Sequence, residues 1–187
     1  MRDRTQEDRI KEYVAKTVRL GPHLKDPKLL RTVADRMAKI FSILPLDALE
    51  LFLSEVRSLQ IMIMPDTGFP FGMKTTSEGG SEARRFTITI YQEHVGWSED
   101  LFIGAMLHEL GHVAARRPPE EEWPHDRRKR AEFKEHLEAR ADAVVWKWGL
   151  RHYSMRHLTA TYPEHHVERI VQAVAKALLE EDLSSNK

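Results

Sequence analysis

Apolar positions in the first sixty residues recur at helical spacing. Leu29, Leu30, Val33, Met37, Ile40 and Phe41 follow Asp26-Pro27, an N-cap with proline at the first helical position, which predicts a helix opening there. Upstream, Thr5 and Asp8 have the spacing of a capping box, and Gly21-Pro22 predicts the end of an N-terminal helix. Asp47, just after Pro45, predicts a third helix reaching to about Leu59. The period then changes. Leu59-Gln60-Ile61-Met62-Ile63-Met64 and the β-branched and aromatic run at 86–91 predict strands, and the turn-rich stretch between them holds a third strand near 71–76. An apolar helix is expected over 98–117, stopped by Pro118-Pro119. A further helix should cover 128–150 with Gly149 near its C-cap, and a last one 163–182. The expected class is α+β, with a small mixed sheet. A helical region at 1–58 packs on a core at 59–187 that includes the C-terminal helix.

Composition narrows the function. A chain of 187 residues with 41% hydrophobic content can bury roughly two thirds of its unfolded surface in one core. Its 29 Lys+Arg balance 29 Asp+Glu, which argues against a protein whose main task is coating nucleic acid or an anionic membrane. The absence of Cys removes thiol catalysis, disulfides and thiolate metal sites. Acidic residues stand where a secretion signal would need an apolar run, and no apolar stretch approaches the roughly 20 residues that span a bilayer. The expected setting is the cytoplasm, with no membrane partner.

The chemistry concentrates in Leu107-His108-Glu109-Leu110-Gly111-His112. Four residues turn a helix through about 400°, so His108 and His112 project from one face, where both imidazoles reach a single Zn²⁺. Glu109 stands about 100° round, where a carboxylate can take a proton from water whose pKa the metal lowers to around 7. The flanking run Leu101–Leu107 is apolar and would bury the pair. A catalytic zinc usually has three protein ligands. A third histidine at metzincin spacing is absent, because Ala115 and Pro118 hold the places of its Gly and His. An acidic solution is present as Glu138-Ala139-Arg140-Ala141-Asp142. Glu138 can bind the metal while Asp142, one turn on, accepts the outer N–H of a ligand imidazole. The competing Glu122 and Asp126 enclose Pro124 and cannot share a helical face.

The pair of motifs resembles those of gluzincin metallopeptidases, in particular the compact ImmA/IrrE-like peptidases and minigluzincins, over about 59–150. The resemblance implies zinc bound by His108, His112 and Glu138, with Glu109 as general base in peptide hydrolysis. ImmA/IrrE-like sequences commonly carry Asn where Asp142 stands and Glu where Arg140 stands. The resemblance also implies a zincin-like sheet with the active-site helix beneath it. An edge strand near 71–76 would hold an extended peptide; a plain hairpin is the alternative. His152, Tyr153 and His157 are candidates for stabilising the oxyanion, or are ordinary surface polar residues. The run Arg127-Arg128-Lys129-Arg130 reads as a solvated face answering Glu120-Glu121-Glu122, or as a phosphate site. Trp146 and Trp148 read as core or rim aromatics. The resulting expectation is a zinc metallopeptidase acting on a peptide or protein. The rival is a non-enzymatic zinc-containing regulator on the same fold, and a nucleic-acid binder ranks third.

Overall fold

Each element of the fold traces to a local signal or to a partner far along the chain. The computed structural model describes residues 5–55, 59–66, 72–78 and 85–185. Helix α1 spans Gln6–Thr17, with Thr5 Oγ1 accepting from the Asp8 amide, and α2 spans Pro27–Ile43, with Asp26 capping the amides of Lys28 and Leu29. These caps satisfy amides that have no partner inside the helix.

Between them the structure departs from expectation. The first helix ends at Thr17 rather than at Gly21, and Val18–Leu20 forms strand β1. Its pairing is distant in sequence: β1 lies parallel to β2 (Leu59–Met64), with Val18 opposite Ile61 and Leu20 opposite Ile63. Gly21 serves that approach. A Cβ there would meet Met64 Sδ at 2.4 Å and the Ile63 carbonyl oxygen at 2.9 Å.

After Pro45, α3 is short, Leu46–Glu50, and continues as a π-helical turn over Leu51–Glu55; residues 56–58 of the expected third helix lie outside the described residues. Strands β3 (Lys74–Glu78) and β4 (Arg85–Tyr91) complete a mixed four-stranded sheet in the order β1-β2-β4-β3. β2 and β4 are parallel, β4 and β3 antiparallel, and β3 is an edge. The start of the expected third strand, at 71, lies outside the described residues. Leu59, Ile61 and Ile63 of β2 and Phe86, Ile88 and Ile90 of β4 alternate into the core.

After the short α4 (Gln92–Val95), α5 (Glu99–Ala114) is apolar on nearly every side and runs buried through the molecule. Helix α6 spans Arg127–Lys147. Residues 151–161, assigned no element from sequence, form helix α7 (Arg151–Thr161), and α8 spans Glu164–Ser185. Gly149, at φ 76°, turns α6 directly into α7: its amide bonds the Trp146 carbonyl and the Leu150 amide bonds that of Val145.

One continuous core joins Ile10 and Val14 of α1, Val33, Met37 and Phe41 of α2, the strand residues, and Phe102, Met106 and Leu110 of α5. At about 1.5–3 kcal/mol for each large apolar side chain, this burial dominates the stability of the arrangement that holds α5. A second, smaller cluster of Ala139, Ala143, Val174 and Ala177 seats α8 on α6. Trp148 packs edge-to-face on Phe52 at the main core, and Trp146 joins the smaller cluster. Among the described residues no helix is long and apolar enough to cross a membrane.

Candidate metal centre

Two glycines decide how closely the site helices approach. A Cβ at Gly111 of α5 would stand 2.4 Å from the Ala141 carbonyl oxygen of α6, and one at Gly104 would stand 2.4 Å from the Tyr153 carbonyl oxygen of α7. Helix α5 is therefore in backbone contact with both neighbours. That contact brings the histidine face of α5 against the carboxylate face of α6. Thr75 and Ser77, on the inward face of β3, donate to the carbonyls of Glu109 and Arg117 at 3.1 and 2.8 Å, fixing the strand edge against the end of α5.

The structure brings His108, His112 and Glu138 together. Glu138 Oε2 lies 3.1 Å from His108 Nε2 and 3.2 Å from His112 Nε2, and the imidazole rings are 4.8 Å apart and nearly perpendicular. Asp142 lies behind His108, with Oδ1 3.2 Å from Nδ1. This is ion-pair distance without hydrogen-bond alignment, so His108 Nδ1 makes no hydrogen bond among the described residues. Asp142 is held in turn by Ser154, whose hydroxyl donates to it at 2.9 Å, and the Trp146 indole N–H donates to Ser154 at 3.2 Å. Glu109 is buried, and its Oε2 has no hydrogen-bond partner among the described residues.

The electrostatics favour positive charge at the centre. Burial alone would raise the Glu138 carboxyl, but its hydrogen bonds to His108 and His112 override this and hold it well below the usual range. Burial opposes charge on His108, yet Asp142 and Glu138 raise its pKa well above the ordinary value. Asp142 is lowered, His108 outweighing the cost of burial. His157 goes the other way: burial, then repulsion from His108, lowers it to about 4, so its ring is neutral near pH 7.

A metal fits this donor set. The three ligand atoms lie within 4.8 Å of one another. A tetrahedral zinc with arms of about 2.0–2.1 Å needs ligand separations of about 3.3 Å, close to the two histidine–glutamate distances. The unpaired Glu109 oxygen is a further sign, because a buried carboxylate oxygen without a partner is costly unless it serves a ligand.

The site opens into a cavity of about 500 Å³ that runs from Met73, Lys74 and Thr75 across the histidines to His157, Tyr162 and Ile170. Of the three oxyanion candidates, His157 lines it; His152 and Tyr153 do not, and their rings pack against each other at a tilt with centres 4.1 Å apart. Asp126 caps α6 through the Lys129 amide, apart from the cluster. The basic run is partly paired: Arg128 with Glu132 at 3.0 Å, Arg130 with Glu120 at 3.3 Å.

Arg117 is the residue that sequence reasoning missed. It is 7% exposed, and its Nη1 donates to Glu138 Oε1 at 3.3 Å and lies 3.1 Å from His112 Nε2. Its place follows from the end of α5. The Arg116 amide bonds the Val113 carbonyl and the Arg117 amide that of His112, with Arg116 in the left-handed region at φ 53°. This turn folds Arg117 back beneath the last helical turn, where Trp123 backs the guanidinium at 5.1 Å. A glycine at 116 would have signalled it; an arginine there does not.

Compared with known proteins, the chain matches no family model, no curated protein and no solved structure.

Proposed function

We propose that this protein is a zinc-dependent hydrolase of peptide bonds, of the gluzincin type. The observation that supports this most is the convergence of His108 Nε2, His112 Nε2 and Glu138 Oε2 beside the buried, unpartnered Oε2 of Glu109. Zinc binding alone needs no carboxylate at that position.

Bound zinc would supply a Lewis acid and lower the pKa of water. The chain supplies the rest. Glu109 accepts a proton from the attacking water and passes it to the leaving amine. Asp142 orients His108, and Arg117 holds Glu138 Oε1 so that Oε2 faces the imidazoles. His157, neutral and on the cavity wall, can donate to the oxygen that gains charge. The edge strand β3 offers backbone groups to an extended peptide, which suits an enzyme reading main chain more than side chain.

Replacing Glu109 by Gln tests the reading against the rival regulator. It keeps shape and every metal ligand, so zinc content should be unchanged while hydrolysis of a peptide library falls by at least about 100-fold. Cleavage equal to that of the unmodified protein would remove Glu109 as the base. A zinc-loaded protein that cleaves no member of the library would favour the regulator.

A further inference from the structure

Outside the cluster of His108, Glu109, His112, Glu138 and Asp142, the charged side chains of the cavity are mainly cationic. They are Lys74 from β3, Arg117 from the end of α5, Lys134 and Glu135 from α6, and Arg169 from α8. Beyond that cluster, with its own carboxylates Glu109, Glu138 and Asp142 and the Arg117 that pairs with Glu138, three cations, Lys74, Lys134 and Arg169, face one carboxylate, Glu135, in a chain whose formal charge is zero overall. The cations stand on both walls: Lys74 on the strand edge, Lys134 and Arg169 on the helical side.

Little within the protein neutralises Lys74, Lys134 and Arg169. Glu135 reaches Arg169 at 3.4 Å and Glu120 reaches Lys74 at 3.5 Å, but all four side chains are more than half exposed. Such pairs contribute about 0–1 kcal/mol and yield readily to a competing carboxylate. Lys134 has no ion pair or hydrogen bond among the described residues. Arg117 is different in kind: buried, backed by Trp123, set by the turn at Arg116 and already paired with Glu138, it belongs to the histidine–glutamate cluster. Cationic walls in a cleft of low dielectric concentrate anionic ligands. The lining also includes apolar Leu158, Ile170 and Ala173, which suits the side chains of a peptide better than a sugar-phosphate backbone.

We infer that the cavity takes a peptide segment with acidic side chains flanking the apolar residue that enters it, selected by Lys74, Lys134 and Arg169. This names a substrate class for the proposed hydrolase and rests on that reading for the word substrate.

The test uses the full chain, zinc-loaded, carrying Glu109→Gln so that ligand persists. Fluorescence anisotropy compares two labelled peptides of equal length and equal apolar content, one with Asp and Glu at the flanking positions and one with Lys. The acidic peptide should bind at least about tenfold tighter at low salt, and the gap should shrink as salt approaches 0.5 M. Adding Lys74→Glu and Lys134→Glu should weaken the acidic peptide by about tenfold and narrow or invert the preference, with zinc content unchanged. Equal affinities, no measurable binding of the acidic peptide, or tighter binding of a single-stranded oligonucleotide of the same charge would overturn the inference. Preferential acidic binding with no cleavage of either peptide when Glu109 is restored would overturn the hydrolase reading and leave this inference standing.

Discussion

Asp142 stands one helical turn beyond Glu138 and touches the candidate metal ligands through His108 Nδ1. Removing an acceptor of that kind typically costs about 10- to 100-fold in metal affinity. Asp142→Ala should therefore weaken zinc by that order, and by less than Glu138→Ala, which deletes a ligand. Asp142→Asn should be milder still, since its amide oxygen can accept the N–H. Competitive zinc titration of the three variants checks the order. A larger loss for Asp142→Ala than for Glu138→Ala would mean that the ligand is the other carboxylate. At this scale the sequence was informative where chemistry depends on spacing along one helix: His108 with His112, and Glu138 with Asp142. It was silent on Arg117, whose approach to Glu138 depends on a left-handed turn at a residue other than glycine.

At the scale of elements, the metal group depends on how closely α5 and α6 approach. Gly111→Ala would gain up to about 1 kcal/mol in helix propensity. The new Cβ, however, would lie 2.4 Å from the Ala141 carbonyl oxygen, a backbone atom that cannot swing aside. The helices must part, and overpacking of this kind costs typically 1–3 kcal/mol. The variant should lose stability in urea and also bind zinc more weakly, because His112 and Glu138 lie on either side of that contact. Unchanged stability with unchanged affinity would contradict the packing described here.

The elements read correctly from sequence were those with their own signals: Asp26-Pro27 for α2, alternation for β2 and β4, Pro118-Pro119 beyond α5. The departures were β1, α7 and the early end of α3, which passes into a π-helical turn at Leu51. Three residues are too few to show a strand period, and Val18–Leu20 is a strand because Ile61 and Ile63 pair with it. Helix α7 has no apolar stripe; it buries Ser154 and Leu158 and sits in place because α6 turns directly into it at Gly149.

At the scale of the whole molecule, the helices of the first fifty residues and the site helix share one core. Metal binding at one end of α5 should then stabilise the whole unit. At free zinc about 1,000-fold above Kd the gain is about 4 kcal/mol, which for a chain of this size raises Tm by roughly 10 °C. A single unfolding transition should shift upward with zinc and return with a chelator, and His112→Ala should abolish the shift. A shift that survives His112→Ala would place the stabilising metal elsewhere.

The most direct measurement is anomalous diffraction at the zinc edge, on crystals of protein purified without added metal. One strong peak is expected per chain, about 2.0–2.1 Å from His108 Nε2, His112 Nε2 and Glu138 Oε2, with Glu109 beside it and not ligating. No peak at this position, or a peak whose ligands include Glu109 in place of Glu138, would contradict the account.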